Sequence, residues 1–198
     1  MKTPRSEEAA RIATRLRARA GDDRLFVFTS GGPREGTGTA ACEVAIAFAR
    51  FDAGPVLLID ADLDEPACHA RFDAPRSPGL AEVLRGQATA EQAIHSTGVE
   101  RLALVPAGGA VEDRLALLSG AALPAVLAHA RGRFHWVIAN APAFPHSAAS
   151  AMIATLADGV VLVVAAGAHS RTAVLDMQRD LRGLRARLAG TILSGTGR

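Results

Sequence analysis

The sequence predicts an α/β domain with a mostly parallel sheet and helices on both faces. Three observations carry this. Short apolar runs alternate with helical patterns along the chain. Most of the runs are continuously apolar, as strands buried on both faces must be. The first of them opens into a glycine-rich turn that leads straight into an alanine-rich helical pattern. In order, the strand-like runs are 24–30 (RLFVFTS), 54–60 (GPVLLID), 99–107 (VERLALVPA), 134–140 (FHWVIAN), 159–166 (GVVLVVAA) and 189–195 (AGTILSG). Helical patterns lie between them at 6–20, 38–51, 79–85, 113–131, 147–157 and 171–187. With no linker, repeat or low-complexity tract, residues 1–198 are expected to form one domain: an N-terminal helix within 1–22 and an α/β core over 23–198. Ligands of such sheets gather at the carboxyl ends of the strands. Three segments fall there: the glycine-rich turn, the acidic run DADLDE and the stretch NAPAFP.

Composition excludes several function classes. An apolar content of 49% argues against disorder, and a net charge of +2 does not announce a nucleic-acid binder. The start, MKTPRSEEAA, has no apolar stretch of a signal peptide. The longest apolar run, 159–168, falls far short of the roughly 20 residues a membrane span needs. The expectation is a cytoplasmic protein without direct membrane insertion. Cys42 and Cys68 lie in different elements without metal spacing and are read as reduced thiols. His95, His129, His135, His146 and His169 show no metal spacing either, so no metal site is expected. Arg179, Arg182 and Arg185 read as a solvated helix face.

The glycine-rich turn has the outline of a phosphate loop. The spacing G-x-x-x-x-G-K-[ST] lays onto Gly31 to Gly38, with Gly31 and Gly36 in register. In such a loop successive backbone N–H groups converge on an anion at a helix N-terminus. The lysine adds a charge to the β/γ-phosphates, and the hydroxyl holds Mg²⁺. Here Gly31, Gly32, Pro33, Arg34, Glu35 and Gly36 are followed by Thr37, Gly38 and Thr39. Thr37 is uncharged and too short to replace a lysine, and Gly38 offers no oxygen. Arg34 is the loop's only cation, and Lys2 is the only lysine in the sequence.

The next segments carry a family resemblance. Asp60-Ala61-Asp62-Leu63, Pro66, His69 and Phe72 lead into SPGLAEVLRG at 77–86, and FHWVIANAP and ADGVVLVVAAGAHSRTAV follow later. As a set, with Thr29, Ser30, Pro33, Glu35, Gly36 and Thr39 of the loop, these motifs resemble the bacterial tyrosine kinases of capsule and exopolysaccharide assembly. That group lies within the MinD/ParA-like phosphate-loop ATPases. The resemblance covers nearly the whole chain. It implies the phosphate-loop NTPase fold and, as the usual partner, the cytoplasmic end of an inner-membrane polysaccharide co-polymerase, which could recruit the domain to that membrane.

The departures from the family pattern shape the functional expectation. The resemblance puts the lysine at Thr37, the magnesium hydroxyl at Gly38, a glycine at Arg34 and a metal-side aspartate at Asn140. Asp64 and Glu65 stand where it has arginines. Asp60 and Asp62 remain, and helix-capping and turn chemistry can account for them. The family's tyrosine-rich tail has no counterpart, because the sequence ends LSGTGR and holds no tyrosine. Of the family's Glu-x-x-Arg-x-x-Arg oligomerisation helix, Glu8 and Arg11 are present, with Thr14 at the last position and Arg15 one place on. A homo-oligomer is implied only through these residues. The expectation is therefore a pseudokinase: Asp60, Asp62 and Asn140 as vestiges of a catalytic site, no required cofactor, ATP and Mg²⁺ bound only weakly, and a regulatory or scaffolding role in polysaccharide export. A weak ATPase or protein kinase of the same pathway is one alternative, and a MinD/ParA-like positioning protein another.

Overall fold

The computed structural model describes residues 4–51, 54–145 and 147–195; His146 lies outside them. Among the described residues seven strands form one sheet: β1 Leu25–Ser30, β2 Val56–Asp60, β3 His95–Ser96, β4 Leu102–Val105, β5 Trp136–Asn140, β6 Gly159–Ala165 and β7 Leu188–Ser194. Their order across the sheet is β3-β4-β2-β5-β1-β6-β7. All neighbours are parallel except β3, which pairs antiparallel with β4 through His95↔Leu104 and Ser96↔Ala103. The six strands read from the sequence are present, within a mostly parallel sheet. The seventh, β3, is only two residues long, too short to leave an apolar pattern.

Every residue of β1, β2 and β5 is buried, so these strands read as continuous apolar runs. Side chains alternate between two layers. Phe26, Phe28, Leu58, Trp136 and Ile138 pack with α1 (Pro4–Ala20) and α2 (Thr37–Phe51) on one face. Leu25, Val27, Leu57, Ile59 and Val137 face α4 (Leu80–Leu84), α5 (Arg114–Ser119), α6 (Ala122–Arg133) and α7 (Ala148–Thr155) on the other. The four-residue α3 (Cys68–Arg71) follows the acidic run, and α8 (Arg171–Gly183) packs on β6 through Met177 and Leu181.

Two helices differ from the sequence expectation. The stretch 113–131 is two helices, because Gly120 adopts an extended backbone at the end of α5. The stretch 171–187 ends at Gly183, and Arg185 turns left-handed with φ 59°. Local start signals are met in three places: the side chains of Asp113, Ser147 and Ser170 accept from the N–H groups of Ala116, Ser150 and Ala173.

Glu82 in α4 clasps a neighbouring loop. Its carboxylate accepts from the N–H of Gly79 (2.7 Å) and of Gly109 (2.9 Å). Gly108, at φ 92°, passes so close that a Cβ there would lie 2.3 Å from Glu82 Oε2. Burial pushes the Glu82 carboxyl up, but the N–H groups of Gly109 and Gly79 outweigh it and hold it below its ordinary value. A depressed carboxyl contributes stability above its ordinary range, and that contribution is lost as pH falls through the folded value. Glu82→Gln weakens these two charge-assisted hydrogen bonds and, screened by solvent at a partly exposed site, should cost about 0.5–1 kcal/mol at pH 7. In urea denaturation its gap from the wild type should narrow as pH is lowered through the acid range.

Candidate functional site

The site lies where β1, β2 and β5 end side by side. Parallel pairing sets Phe28 against Asn140 and Asp60 against Asn140, so the loop after β1, the acidic run after β2 and the NAPAFP segment after β5 converge. Thr29 fixes the third of these. Its hydroxyl donates to the Pro142 carbonyl (2.6 Å), and it accepts from the Phe144 N–H. The result is an open cavity of about 620 Å³ bounded by residues 33–39, by Asp62 to Glu65 and by Asn140 to Ala143.

The loop itself is closely held. Ser30 Oγ donates to the Gly32 carbonyl (2.7 Å), which tightens the turn. Glu35 folds inward and is buried. One carboxylate oxygen accepts from the Ala165 N–H at the end of β6 (3.0 Å), and the other meets His169 Nε2. The Glu35 carbonyl accepts from Ser194 Oγ of β7 (2.8 Å). The ends of the His169 and Met177 side chains cover Gly31, and a Cβ there, 2.8 Å from each, would push them aside. Gly36 has φ 85°, and α2 begins at Thr37 with its first N–H groups toward the cavity.

Arg34 has φ 58°, in the region that favours glycine, which is the residue the family pattern places there. Its guanidinium does not reach over the loop. It lies 3.5 Å from Glu65 at the cavity mouth, with 85% of its side chain exposed. Arg114 pairs with Asp64 at 2.6 Å. The two acids that stand in place of arginines are thus each met by an arginine from another segment.

Asp60 and Asp62 have different environments. Asp60 is wholly buried. Oδ2 accepts from the N–H groups of Ala67 (3.0 Å) and Cys68 (2.9 Å) at the start of α3, and Oδ1 accepts from Asn140 Nδ2 (2.9 Å). Asn140 Oδ1 is buried and has no hydrogen-bond partner among the described residues. Asp62 closes a turn, accepting from Asp64 N (3.1 Å) and Glu65 N (3.0 Å). Burial pushes the Asp62 carboxyl up, the Glu65 N–H pulls it back, and the Asp60 charge raises it again.

The remaining sequence-named residues are dispersed. Glu8, Arg11 and Arg15 are exposed on the outer face of α1. His129 pairs with Glu91, and His95 Nε2 lies 2.7 Å from the Pro78 carbonyl. His135 sits edge-on to Trp136. Among the described residues no three His, Cys, Asp or Glu side chains cluster as a metal site. No helix of the described residues is long and apolar enough to cross a membrane.

Two features escape sequence reading. The Glu35–His169 latch joins residues 134 apart, and its only local trace is an acid within a glycine-rich loop. Cys42 and Cys68, in separate helices, are buried against each other as free thiols. Contact with Cys42, burial and the nearby Asp60 charge push the Cys68 thiol well up.

This sheet order, with a glycine-rich loop running from β1 into α2, defines a phosphate-loop NTPase fold of the MinD/ParA kind. MinD of Pyrococcus horikoshii, solved with Mg-ADP, superposes with TM-score 0.72 at 22% identity, over 86% of this chain and 69% of that one. The homologues are bacterial tyrosine-protein kinases. Tyrosine-protein kinase YwqD of Bacillus subtilis is 29% identical over 196 residues, 98% of this chain and 82% of its own length. The succinoglycan biosynthesis transport protein ExoP of Rhizobium meliloti is 28% identical over 190 residues, 94% of this chain but 24% of ExoP. The VpsO kinase domain superposes with TM-score 0.88 at 29% identity, over 98% of this chain and 97% of that one. No family model matches the chain.

The Asp60 contacts predict an unequal pair of substitutions. Asp60→Ala strands three donors and should cost roughly 3 kcal/mol in urea denaturation. Asp60→Asn should cost less than half of that. Its oxygen can keep the α3 N–H groups, and its Nδ2 can donate to Asn140, whose Oδ1 turns to meet it. Equal losses would show that the carboxylate charge, not the pattern of hydrogen bonds, holds this corner.

Proposed function

We propose that this protein is a pseudokinase that acts in polysaccharide synthesis or export by binding a partner rather than by phosphoryl transfer. The observation that carries this reading is the cation deficit of the loop. Thr37 stands where the loop pattern has its lysine, and Arg34, the loop's own cation, is engaged with Glu65 at the cavity mouth. Gly38 stands where the same pattern has a hydroxyl, and Asn140 where the family resemblance implies an aspartate after β5. The pairing of Asp64 and Glu65 with arginines supports a pocket that is self-sufficient when empty. Asp60 and Asp62 are both engaged by backbone N–H groups, so a structural role accounts for their presence.

The pathway follows from the relatives. ExoP is a succinoglycan biosynthesis transport protein, and the tyrosine-protein kinases YwqD and CpsD match this chain over nearly its whole length. The partner in this reading is the cytoplasmic segment of an inner-membrane polysaccharide co-polymerase, which holds the domain at that membrane. The exposed Glu8, Arg11 and Arg15 on α1 are the surface through which copies of the chain would associate. The sequence contains no tyrosine, so none of its residues can be the acceptor in tyrosine phosphorylation.

Calorimetry with Mg-ATP tests the loss of chemistry. A hydrogen bond to a charged group contributes about 1.5–3 kcal/mol, so the missing lysine alone should weaken binding about 10- to 150-fold. No binding is expected at physiological ATP, and a dissociation constant in the low micromolar range would overturn the reading. Thr37→Lys with Gly38→Ser should restore measurable affinity. A Cβ at Gly38 meets Ala67 Cβ at 3.4 Å and Asn140 Nδ2 at 3.6 Å, ordinary contacts that a serine can occupy. Hydrolysis should stay low in that variant because Asn140 remains. Turnover matching that of an active relative would show that Asn140 had been misjudged.

A further inference from the structure

The open edge of the sheet at β7 carries a charge pattern that the site does not use. Among the described residues β7 pairs only with β6, and its sequence LAGTILS has neither the charge nor the proline that commonly blunts an edge strand. Ser194 turns its carbonyl inward to the Ala166 N–H (2.8 Å). Two-residue alternation then turns the backbone N–H and C=O of Thr191 and Leu193 outward. The Leu193 side chain is 72% exposed.

Helix α8 flanks this edge, and a hydrogen bond fixes its rotation. Gln178 Nε2 donates to Thr191 Oγ1 (3.1 Å), while Met177 and Leu181 face the core. Helical spacing places Arg171, Leu175 and Arg182 on the Gln178 stripe, along the edge. All three are exposed, and neither arginine has an ion pair among the described residues. The helix's acids lie off this stripe: Asp176 is taken by Arg179, and Asp180 falls on the opposite flank. Below the edge, on the other face of the sheet, Ile12, Val44 and Ile192 form the apolar part of a cavity of about 340 Å³ whose rim also carries Glu8, Arg34 and Glu43.

We infer that the β7 edge is a docking site for an extended segment of a partner protein that alternates acidic and apolar residues. Such a segment adds as an eighth strand through the outward groups of Thr191 and Leu193. Its acidic side chains face Arg171 and Arg182, and its apolar side chains face the Ile12–Ile192 cavity. A second copy of this edge would bring its own unpaired arginines and lacks the acids. The inference gives the binding role proposed above a surface, and its failure would leave the nucleotide result untouched.

The probe is a fluorescein-labelled nonapeptide of alternating glutamate and valine, titrated with the full chain in fluorescence anisotropy. Saturable binding is expected, weakening severalfold as NaCl rises from about 50 to about 500 mM. Leu193→Pro removes one outward donor at an edge position that tolerates proline, and should weaken binding at least tenfold without lowering the melting temperature. Arg171→Glu with Arg182→Glu, which leaves the strand untouched, should do the same. The peptide methylated on alternate backbone nitrogens keeps its charge but cannot pair, and should not bind. Absence of binding at about 100 μM peptide would overturn the proposal. So would equal binding of the methylated peptide, equal competition by single-stranded DNA of matched charge, or a dimer seen by light scattering that Leu193→Pro dissolves.

Discussion

Everything at this site hangs from one buried carboxylate. Asp60 ends the interior strand β2 with no access to water, and a charge there must be answered by donors. It is answered three times: by two N–H groups at the start of α3 and by the amide of Asn140 from the next strand. These bonds tie three otherwise separate segments to one point. Asn140 suits this arrangement better than a second carboxylate would, because two adjacent buried carboxylates repel unless a cation or proton lies between them. The neutral amide donates to Asp60 without adding a second negative charge.

The phosphate loop is held by a second set of contacts that would serve equally well without a ligand. Glu35 reaches beneath the loop to β6 and His169, and its carbonyl is held by Ser194 of β7. The loop therefore keeps its shape through protein groups at both of its flanks. Its arginine meanwhile pairs outward with Glu65. Backbone architecture and side-chain chemistry are thus separable here. The strand, turn and helix that make a phosphate cradle are all in place, while Asp60, Arg34, Asp64 and Glu65 around them are paired within the chain and Asn140 Oδ1 is left without a partner among the described residues.

Much of the fold was legible because buried parallel strands leave an unambiguous trace. VLLID and WVIAN are apolar on both faces, and neither could be a surface strand. The loop was legible from its glycines, and the left-handed backbone at Arg34 lay where the family pattern calls for glycine. The sequence misses what depends on distance. Arg114 and Asp64 meet across 50 positions, and nothing local marks either as the other's partner. Glu35 and His169 are further apart still. Helix ends were misjudged where backbone conformation, not composition, decides: the split at Gly120 and the early stop at Gly183 both fall inside arginine- and alanine-rich stretches that could have continued.

In the proposed reading the protein works through its shape and surface, and the phosphate-loop site carries no chemistry. Polymer output in cells carrying Thr37→Val or Asp62→Asn tests it most directly, with protein abundance checked by immunoblot. Thr37→Val keeps the volume of a buried side chain and removes its hydroxyl. Asp62→Asn keeps the oxygen that closes the Asp64–Glu65 turn and removes the charge. Neither should reduce export where the variant accumulates normally. Export that fails as completely as in a deletion strain, at normal abundance of either variant, would contradict the account and return a chemical role to this site.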